Sequence, residues 1–152
     1  MTFISTNDSH VFPADKDGEV SSYANSGTTF EVYEGATELV YDGVGTSASK
    51  WKVVVTTDTN ITANTSFTDN GNSVTVGNHS GVADGTDLSS IIYTISGKRA
   101  DNTAFSVTKQ QSFSKSKIGA TGAVGSNGKT VRLRAADYSI VYDAAGINPQ
   151  PT

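Results

Sequence analysis

Period-two alternation of apolar and polar residues restricts the folds open to this chain more than any other feature. In Thr28–Glu34, Phe30 and Val32 fall on one side of an extended strand, and Glu31 and Tyr33 fall on the other. Turn-forming residues interrupt such stretches about every 8–12 positions. No window shows the sustained 3.6-residue apolar repeat of an amphipathic helix. The chain is therefore predicted to be all-β, with short strands and tight turns.

Seven or eight strands are predicted within about the first 115 residues, which is the number expected of an immunoglobulin-like antiparallel sandwich. The predicted strands are residues 10–12, 28–34, 39–41, 51–57, a weak segment around 61 and 67, 73–76, 88–96 and 103–113. Residues 97–102 fit a hairpin loop between the last two strands. Pro13 is expected to end the first strand, because proline cannot donate a hydrogen bond to a sheet.

The composition fits this architecture and excludes several classes of protein. Only 36% of the residues are hydrophobic and 17% are charged, and the difference is made up by Thr, Ser, Asn and Gly, which suit strands and turns. The net charge of −4 leaves no basic patch for nucleic acid. No apolar run approaches the roughly 20 residues of a membrane helix. We expect neither nucleic-acid binding nor membrane insertion.

Glycines at a strict period of three follow the predicted sandwich. They are Gly119, Gly122, Gly125 and Gly128. A collagen-like triple helix requires this rhythm, because only glycine fits its crowded axis. A flexible Gly-rich linker is the alternative interpretation, and four triplets without proline are too few to hold a triple helix alone. The predicted division is a sandwich over residues 1–115, a Gly-x-y linker over 116–128 and the beginning of a further β module over 129–152, with strands near 131–135 and 139–142.

No catalytic, cofactor-binding or metal-binding residue can be assigned from the sequence. The two histidines, His10 and His79, are interpreted as surface residues, since neither belongs to a motif that supplies further ligands or a nucleophile. Residues 15–19 and 84–87 are rich in the oxygen ligands of calcium loops, but the EF-hand spacing fails at Ser26. Turns are the preferred interpretation, and a weak structural Ca²⁺ stays open. We expect a protein that is not an enzyme.

The aromatic residues allow two interpretations. Trp51 is predicted to fill the core, as a tryptophan on a central sandwich strand commonly does; a sugar-stacking role is the alternative. Tyr23, Tyr33 and Tyr41 are the candidates for an exposed platform that stacks against a glycan.

Three stretches resemble immunoglobulin-like repeats of bacteriophage tail fibre and tail-tip proteins. Residues 10–18 (HVFPADKDG) and 27–35 (GTTFEVYEG) resemble the start of such a repeat. Residues 111–119 (QSFSKSKIG) resemble its end, where a Gly-x-y segment follows directly. Residues 129–134, 141–143 and 148–151 resemble the beginning of the next β module.

The resemblance implies a component of the virion tail that extends toward the host surface. Such fibres are typically homotrimers that contact other tail proteins, and the family assigns no catalytic residues here. The leading prediction is a structural module that spaces and assembles the fibre for host attachment. The alternatives are a module that itself binds host-surface polysaccharide and a repeat of a bacterial surface adhesin.

Overall fold

The chain forms strands and no helix in the part that the structure describes. The computed structural model describes residues 1–122, 124–125, 141–142, 145–146 and 149–150. It divides into two compact units, Met1–Ala120 and Thr121–Thr152. The prediction of an all-β protein is confirmed. Among the described residues no helix is long and apolar enough to cross a membrane.

Residues 1–122 form ten strands. They are β1 (Thr2–Ser5), β2 (Ser9–Ala14), β3 (Thr28–Glu34), β4 (Thr37–Glu38), β5 (Val40–Tyr41), β6 (Lys50–Thr59), β7 (Phe67–Asp69), β8 (Val74–Val76), β9 (Leu88–Lys98) and β10 (Ala104–Lys117). The second unit contains β11 (Val141–Tyr142) and β12 (Pro149–Gln150), which pair antiparallel. The strand β11 falls within the predicted strand 139–142. Gly128, residues 139–140 and the predicted strand near 131–135 lie outside the described residues.

The ten strands of the first unit form two five-stranded sheets. In the first sheet the order is β1-β3-β8-β7, with β4 also paired to β3, and every pairing is antiparallel. In the second sheet the order is β2-β10-β9-β6-β5. Here β2 runs parallel to β10 and β5 runs parallel to β6. The expectation of a purely antiparallel arrangement is wrong for these two edge pairs.

The inward side chains of both sheets form one hydrophobic core, as in a β-sandwich. Phe30 and Val32 of β3 are buried, as are Ile91, Tyr93 and Ile95 of β9. The rings of Phe30 and Tyr93 meet edge to face with their centroids 4.9 Å apart, which is a favourable geometry for an aromatic pair. The alternation predicted the inward side of these strands correctly.

Trp51 lies in this core without solvent exposure, so the core interpretation is confirmed. Its indole Nε1–H donates to the carbonyl oxygen of Leu39 at 3.1 Å. The N–H of Leu39 donates to the carbonyl oxygen of Val32 at 2.8 Å. Leu39 separates β4, which pairs in the first sheet, from β5, which pairs in the second. The predicted strand 39–41 is therefore the point where the chain crosses between sheets.

Pro13 does not end the first predicted strand, because β2 runs from Ser9 to Ala14. The strand lies at the edge of its sheet, where the missing N–H of proline costs no ladder hydrogen bond. The Pro13 carbonyl accepts a hydrogen bond from the Ser21 N–H at 2.9 Å. An edge position thus explains both the proline and the longer strand.

Strands β9 and β10 form the predicted hairpin, and both strands extend beyond their predicted ends. The Asn102 N–H donates to the Arg99 carbonyl at 2.9 Å, and Asn102 adopts a positive φ of 68°. Strand β10 continues to Lys117, so Ser116 and Lys117, which the sequence assigned to the linker, pair with β2 instead. The Gly-x-y stretch follows this long strand directly.

Candidate functional site

The first oxygen-rich segment forms a tight turn around one carboxylate. Oδ1 of Asp15 accepts hydrogen bonds from the N–H groups of Asp17, Gly18 and Glu19 at 2.8–2.9 Å. These bonds, that from Glu19 foremost, hold the pKa of Asp15 below its ordinary value. No group of three histidine, aspartate or glutamate side chains among the described residues could hold a metal ion. The Asp15 carboxylate therefore stabilises the turn by accepting its backbone hydrogen bonds.

A lysine ammonium joins the two oxygen-rich segments. Nζ of Lys115 donates to the backbone carbonyls of Gly18 at 2.6 Å, Ala83 at 2.6 Å and Asp84 at 3.3 Å. We call this arrangement the Lys115 clamp. Lys117, two residues further along β10, forms an exposed ion pair with Asp87 at 2.5 Å. The ammonium of Lys115 is therefore held by backbone carbonyls of the fold and is not a freely solvated charge.

His79 is buried, with 2% of its surface exposed, so its interpretation as a surface residue is wrong. Its Nδ1 accepts a hydrogen bond from the Asn64 N–H at 3.0 Å. That nitrogen therefore carries no proton, and Nε2–H donates to Oε1 of Gln111 at 3.1 Å. His10 is half-buried on β2 beside Phe12, with ring centroids 5.1 Å apart. The two histidines have different structural roles.

His79 belongs to a buried cluster of polar groups that satisfy one another. Gln111 Oε1 also accepts from the Tyr93 hydroxyl at 3.2 Å, and Gln111 Nε2 donates to the Ser26 carbonyl at 2.9 Å. The Ser26 hydroxyl accepts the His79 N–H at 2.9 Å and donates to the Tyr23 carbonyl at 2.8 Å. Among the described residues no buried side-chain polar atom lacks a partner. The cluster therefore holds four distant parts of the chain together.

Burial keeps the ionisable members of this cluster neutral. Desolvation lowers the pKa of His79, against an opposing effect of its hydrogen bond to Gln111. Desolvation also raises the pKa of Tyr93 far above its ordinary value. Because Tyr93 and Gln111 are at most 2% exposed, a substrate cannot reach their polar atoms. The buried cluster therefore stabilises the core and is not placed to transfer a proton to a ligand.

Two shallow grooves open on the surface of the first unit. One, of about 320 Å³, is lined by neutral polar residues and small or aliphatic ones beside the β3–β8 pairing, including Thr6, Asn25, Gly27, Thr29, Thr75 and Asn78. The other, of about 370 Å³, lies on the outer side of the second sheet and includes Asn60, Leu88, Ser90, Gln110 and Ser112. No charged residue lines either groove. Each offers hydroxyl and amide groups and no assembled catalytic group.

The three candidate tyrosines do not form an exposed platform. Tyr41 is 8% exposed and packs edge to face on Trp51 at 5.0 Å, so its expected exposure is wrong. Tyr23 is half-buried, and its hydroxyl accepts the Val82 N–H at 3.0 Å. Tyr33 is also half-buried and donates its hydroxyl to Glu31 at 3.0 Å. None of the three lines either groove.

Gln111 shows how a member of the buried cluster could carry a sequence signal. Gln111 falls on the same side of β10 as Phe105, Val107 and Phe113, and alternation alone predicts that it points inward. A buried amide needs hydrogen-bond partners, so a polar cluster could have been predicted there. His79 carried no such signal, because residues 77–85 show no alternation.

The described geometry defines an all-β protein whose two five-stranded sheets share one core. No protein-family profile, curated protein or solved structure matches the chain. What the chain does is therefore inferred from its own residues and from the resemblance that they carry.

Proposed function

We propose that this chain is a structural module of a bacteriophage tail fibre or tail tip, which spaces and assembles the fibre for host attachment. The resemblance of residues 10–18, 27–35 and 111–119 to tail proteins motivates the proposal. Its setting is the virion tail, beside other tail proteins. Its function requires a rigid fold and self-association, and it requires no catalysis.

The order of the strands supports an immunoglobulin-like identity for the first unit. The letters A to G of an immunoglobulin domain can be given in chain order to β1, β3, β6, β7, β8, β9 and β10. The first sheet, β1-β3-β8-β7, then has the A-B-E-D order of that domain, and β10-β9-β6 of the second sheet has its G-F-C order. Trp51 on β6 then occupies the strand that carries the buried tryptophan of that fold. The additional edge strands β2 and β5 extend the second sheet.

The aromatic pair in the core is consistent with the same identity in a chain without cysteine. Antibody domains join strands B and F through a disulfide that packs against the tryptophan. Here Phe30 on β3 and Tyr93 on β9 make an edge-to-face contact between the corresponding strands. Apolar and aromatic burial therefore links the sheets in this chain, which suits a module that assembles without oxidation.

The period-three glycines carry the proposal. A Cβ added at Gly119, Gly122 or Gly125 would meet nothing within 4 Å, and none of the three has a positive φ. Neither crowding nor backbone conformation within the single chain requires glycine at these positions. A requirement repeated at every third residue is what three chains wound around one axis impose. We therefore propose a homotrimer with other fibre chains.

Sedimentation equilibrium of the 152-residue chain tests the trimer. A single chain has a mass of 15.8 kDa, and we expect a concentration-dependent species of three times that mass. Gly122→Ala should weaken the trimer without changing the thermal stability of the monomer. Gly85→Ala is the matched control, since an added Cβ there also meets nothing within 4 Å. A monomer at every concentration would refute the fibre proposal.

Host-surface polysaccharide binding is the second candidate function. The neutral groove beside the β3–β8 pairing presents the amide and hydroxyl groups that hydrogen-bond sugar hydroxyls, with Asn78 and Thr29 among its lining residues. A glycan array probed with the wild-type chain and with Asn78→Ala tests this candidate. Binding that Asn78→Ala weakens would support it, and no retention of any glycan at millimolar protein would remove it.

A further inference from the structure

The outward side of the second sheet is broad, exposed and nearly free of charge. On β9 and β10 the odd-numbered residues between 89 and 95 and at 111 and 113 are buried, so the even-numbered ones point outward. From residue 104 to 116 the outward positions of β10 hold only Ala, Ser, Thr and Gln. Lys50, Lys52 and Lys98 lie at the end of this face that is farthest from Ser116.

Exposed aliphatic side chains mark the opposite end of the same face. Ser114 pairs with Val11 on one side and with Leu88 on the other. Val11 is 56% exposed and Leu88 is 71% exposed. The two aliphatic residues therefore flank a small residue, roughly 9–10 Å apart across two strand spacings. We call these three residues the aliphatic end.

The aliphatic end continues into the groove of about 370 Å³ described above. Leu88 borders this groove, and the small residues Ser90 and Ser112 line it. The projecting aliphatic side chain and the shallow neutral groove beside it have complementary shapes. Isolated exposed aliphatic residues are normal on proteins, but a grouped set beside a groove is typical of an interaction site.

The charge distribution favours a second copy of this chain as the partner. The chain carries 15 acidic and 11 basic residues, with a net charge of −4, so two copies repel each other weakly through their net charge. Val11, Ser114 and Leu88 are themselves uncharged, so burying these three side chains desolvates no charge. Of the lysines of β10 nearest to the aliphatic end, Lys115 is held in its clamp and Lys117 is neutralised by its exposed ion pair with Asp87. Charge-poor centres are typical of protein interfaces.

The position of the glycine triplets brings this end of the module close to the proposed fibre axis. Gly119 follows Ser114 by five residues, a distance of at most about 18 Å along the chain. If three chains wind together from Gly119, their three aliphatic ends lie within that reach of a common axis. We propose that the aliphatic end of Val11, Ser114 and Leu88 is the surface through which three copies of the module contact one another. This inference rests on the proposed trimer.

Matched charge substitutions test this surface. Val11→Glu and Leu88→Glu should each raise the concentration at which half of the chains are trimeric by about tenfold or more, because an unpaired carboxylate would be buried in the contact. Val44→Glu is the control, since Val44 is 55% exposed and belongs to the turn after β5. It should leave the trimer unchanged. All three substitutions are at exposed sites, so circular dichroism should show folded chains.

A crosslinking experiment gives an independent result if either glutamate variant misfolds. The chain has no cysteine, so Ser114→Cys introduces a single thiol at the aliphatic end. A short bis-maleimide should join Ser114→Cys chains into covalent dimers, and it should not join Val44→Cys chains. A wild-type monomer would refute both the proposed function and this inference. A wild-type trimer that forms no Ser114→Cys crosslinks, or that Val11→Glu and Leu88→Glu affect no more than Val44→Glu, would overturn this inference and leave the fibre proposal standing.

Discussion

Removing the ammonium of the Lys115 clamp should destabilise the first unit. Lys115→Met keeps most of the aliphatic length of the side chain and removes its three hydrogen bonds to backbone carbonyls. Those bonds join the turn at Gly18 to the segment at Ala83 and Asp84, which are 97, 32 and 31 residues from Lys115 in sequence. The substitution therefore loosens two loops from β10 at once.

The expected loss is about 2 kcal/mol of unfolding free energy. A hydrogen bond to a charged group contributes roughly 1.5–3 kcal/mol when water is excluded. Lys115 is only half-buried, so water replaces part of each bond and the three do not add in full. The control, Lys117→Met, breaks an exposed ion pair with Asp87, which should be worth about 0–1 kcal/mol.

Urea unfolding followed by tryptophan fluorescence measures this difference. Trp51 is the single tryptophan and lies in the core of the first unit, so its emission reports that unit. With a slope of about 1–2 kcal/mol per molar urea, Lys115→Met should lower the midpoint by about 1–2 M. Lys117→Met should shift it by much less. Equal shifts for the two variants would show that the clamp contributes no more than a surface ion pair.

Two further predictions concern the buried cluster and the pairing of β6 with β9. Burial lowers the pKa of His79 from its ordinary 6.5, so below about pH 6.5 the unfolded chain binds a proton more readily than the folded chain does. Stability should fall as the pH drops through that range, and His79→Gln should flatten the curve; an unchanged pH profile would contradict the assigned burial. Gly97→Ala should cost about 3 kcal/mol in the same urea assay, because its Cβ would lie 2.3 Å from the Lys50 carbonyl oxygen; a loss below 1 kcal/mol would refute that close approach.

The sequence predicts the centres of the long strands well, because alternation has a direct physical cause. Burial of one side of a strand selects apolar residues at every second position. Phe30 and Val32, Trp51 and Val53, and the inward residues of β9 therefore appear in the core as predicted. The same pattern predicted the β9–β10 hairpin. These features depend on each strand and, for the hairpin, on the turn that joins it to the next one.

Features that depend on a strand's neighbours were predicted poorly. Pro13 is acceptable only because β2 occupies an edge, and edge positions are not encoded in the strand itself. Leu39 ends one pairing and begins another, which local sequence does not reveal. The strand β1, with only Phe3 and Ile4 as apolar residues in Thr2–Ser5, was missed because its pairing with β3 defines it.

The buried polar groups were the least predictable part of the candidate site. His79 forms hydrogen bonds with Asn64, which is 15 residues away in sequence, and with Gln111, which is 32 residues away. Lys115 donates a hydrogen bond to the carbonyl of Gly18, which is 97 residues away. Such partners are set by the packing of the whole unit, so residue type and local spacing cannot identify them. A histidine or lysine in a polar stretch is ordinarily exposed, and burial becomes visible only in the fold.

The parallel pairing of β2 with β10 determines how the module would respond to being pulled. One strand lies near the start of the chain and the other leads out of the unit, and they are paired over six residue positions from Ser9↔Ser112 to Ala14↔Lys117. Tension applied through the two ends slides these strands along each other in shear. All of the bonds between them then bear the load at the same time, whereas a hairpin pulled from its open end unzips one bond after another. A chain of such units would therefore resist extension until the hydrogen bonds between β2 and β10 break together.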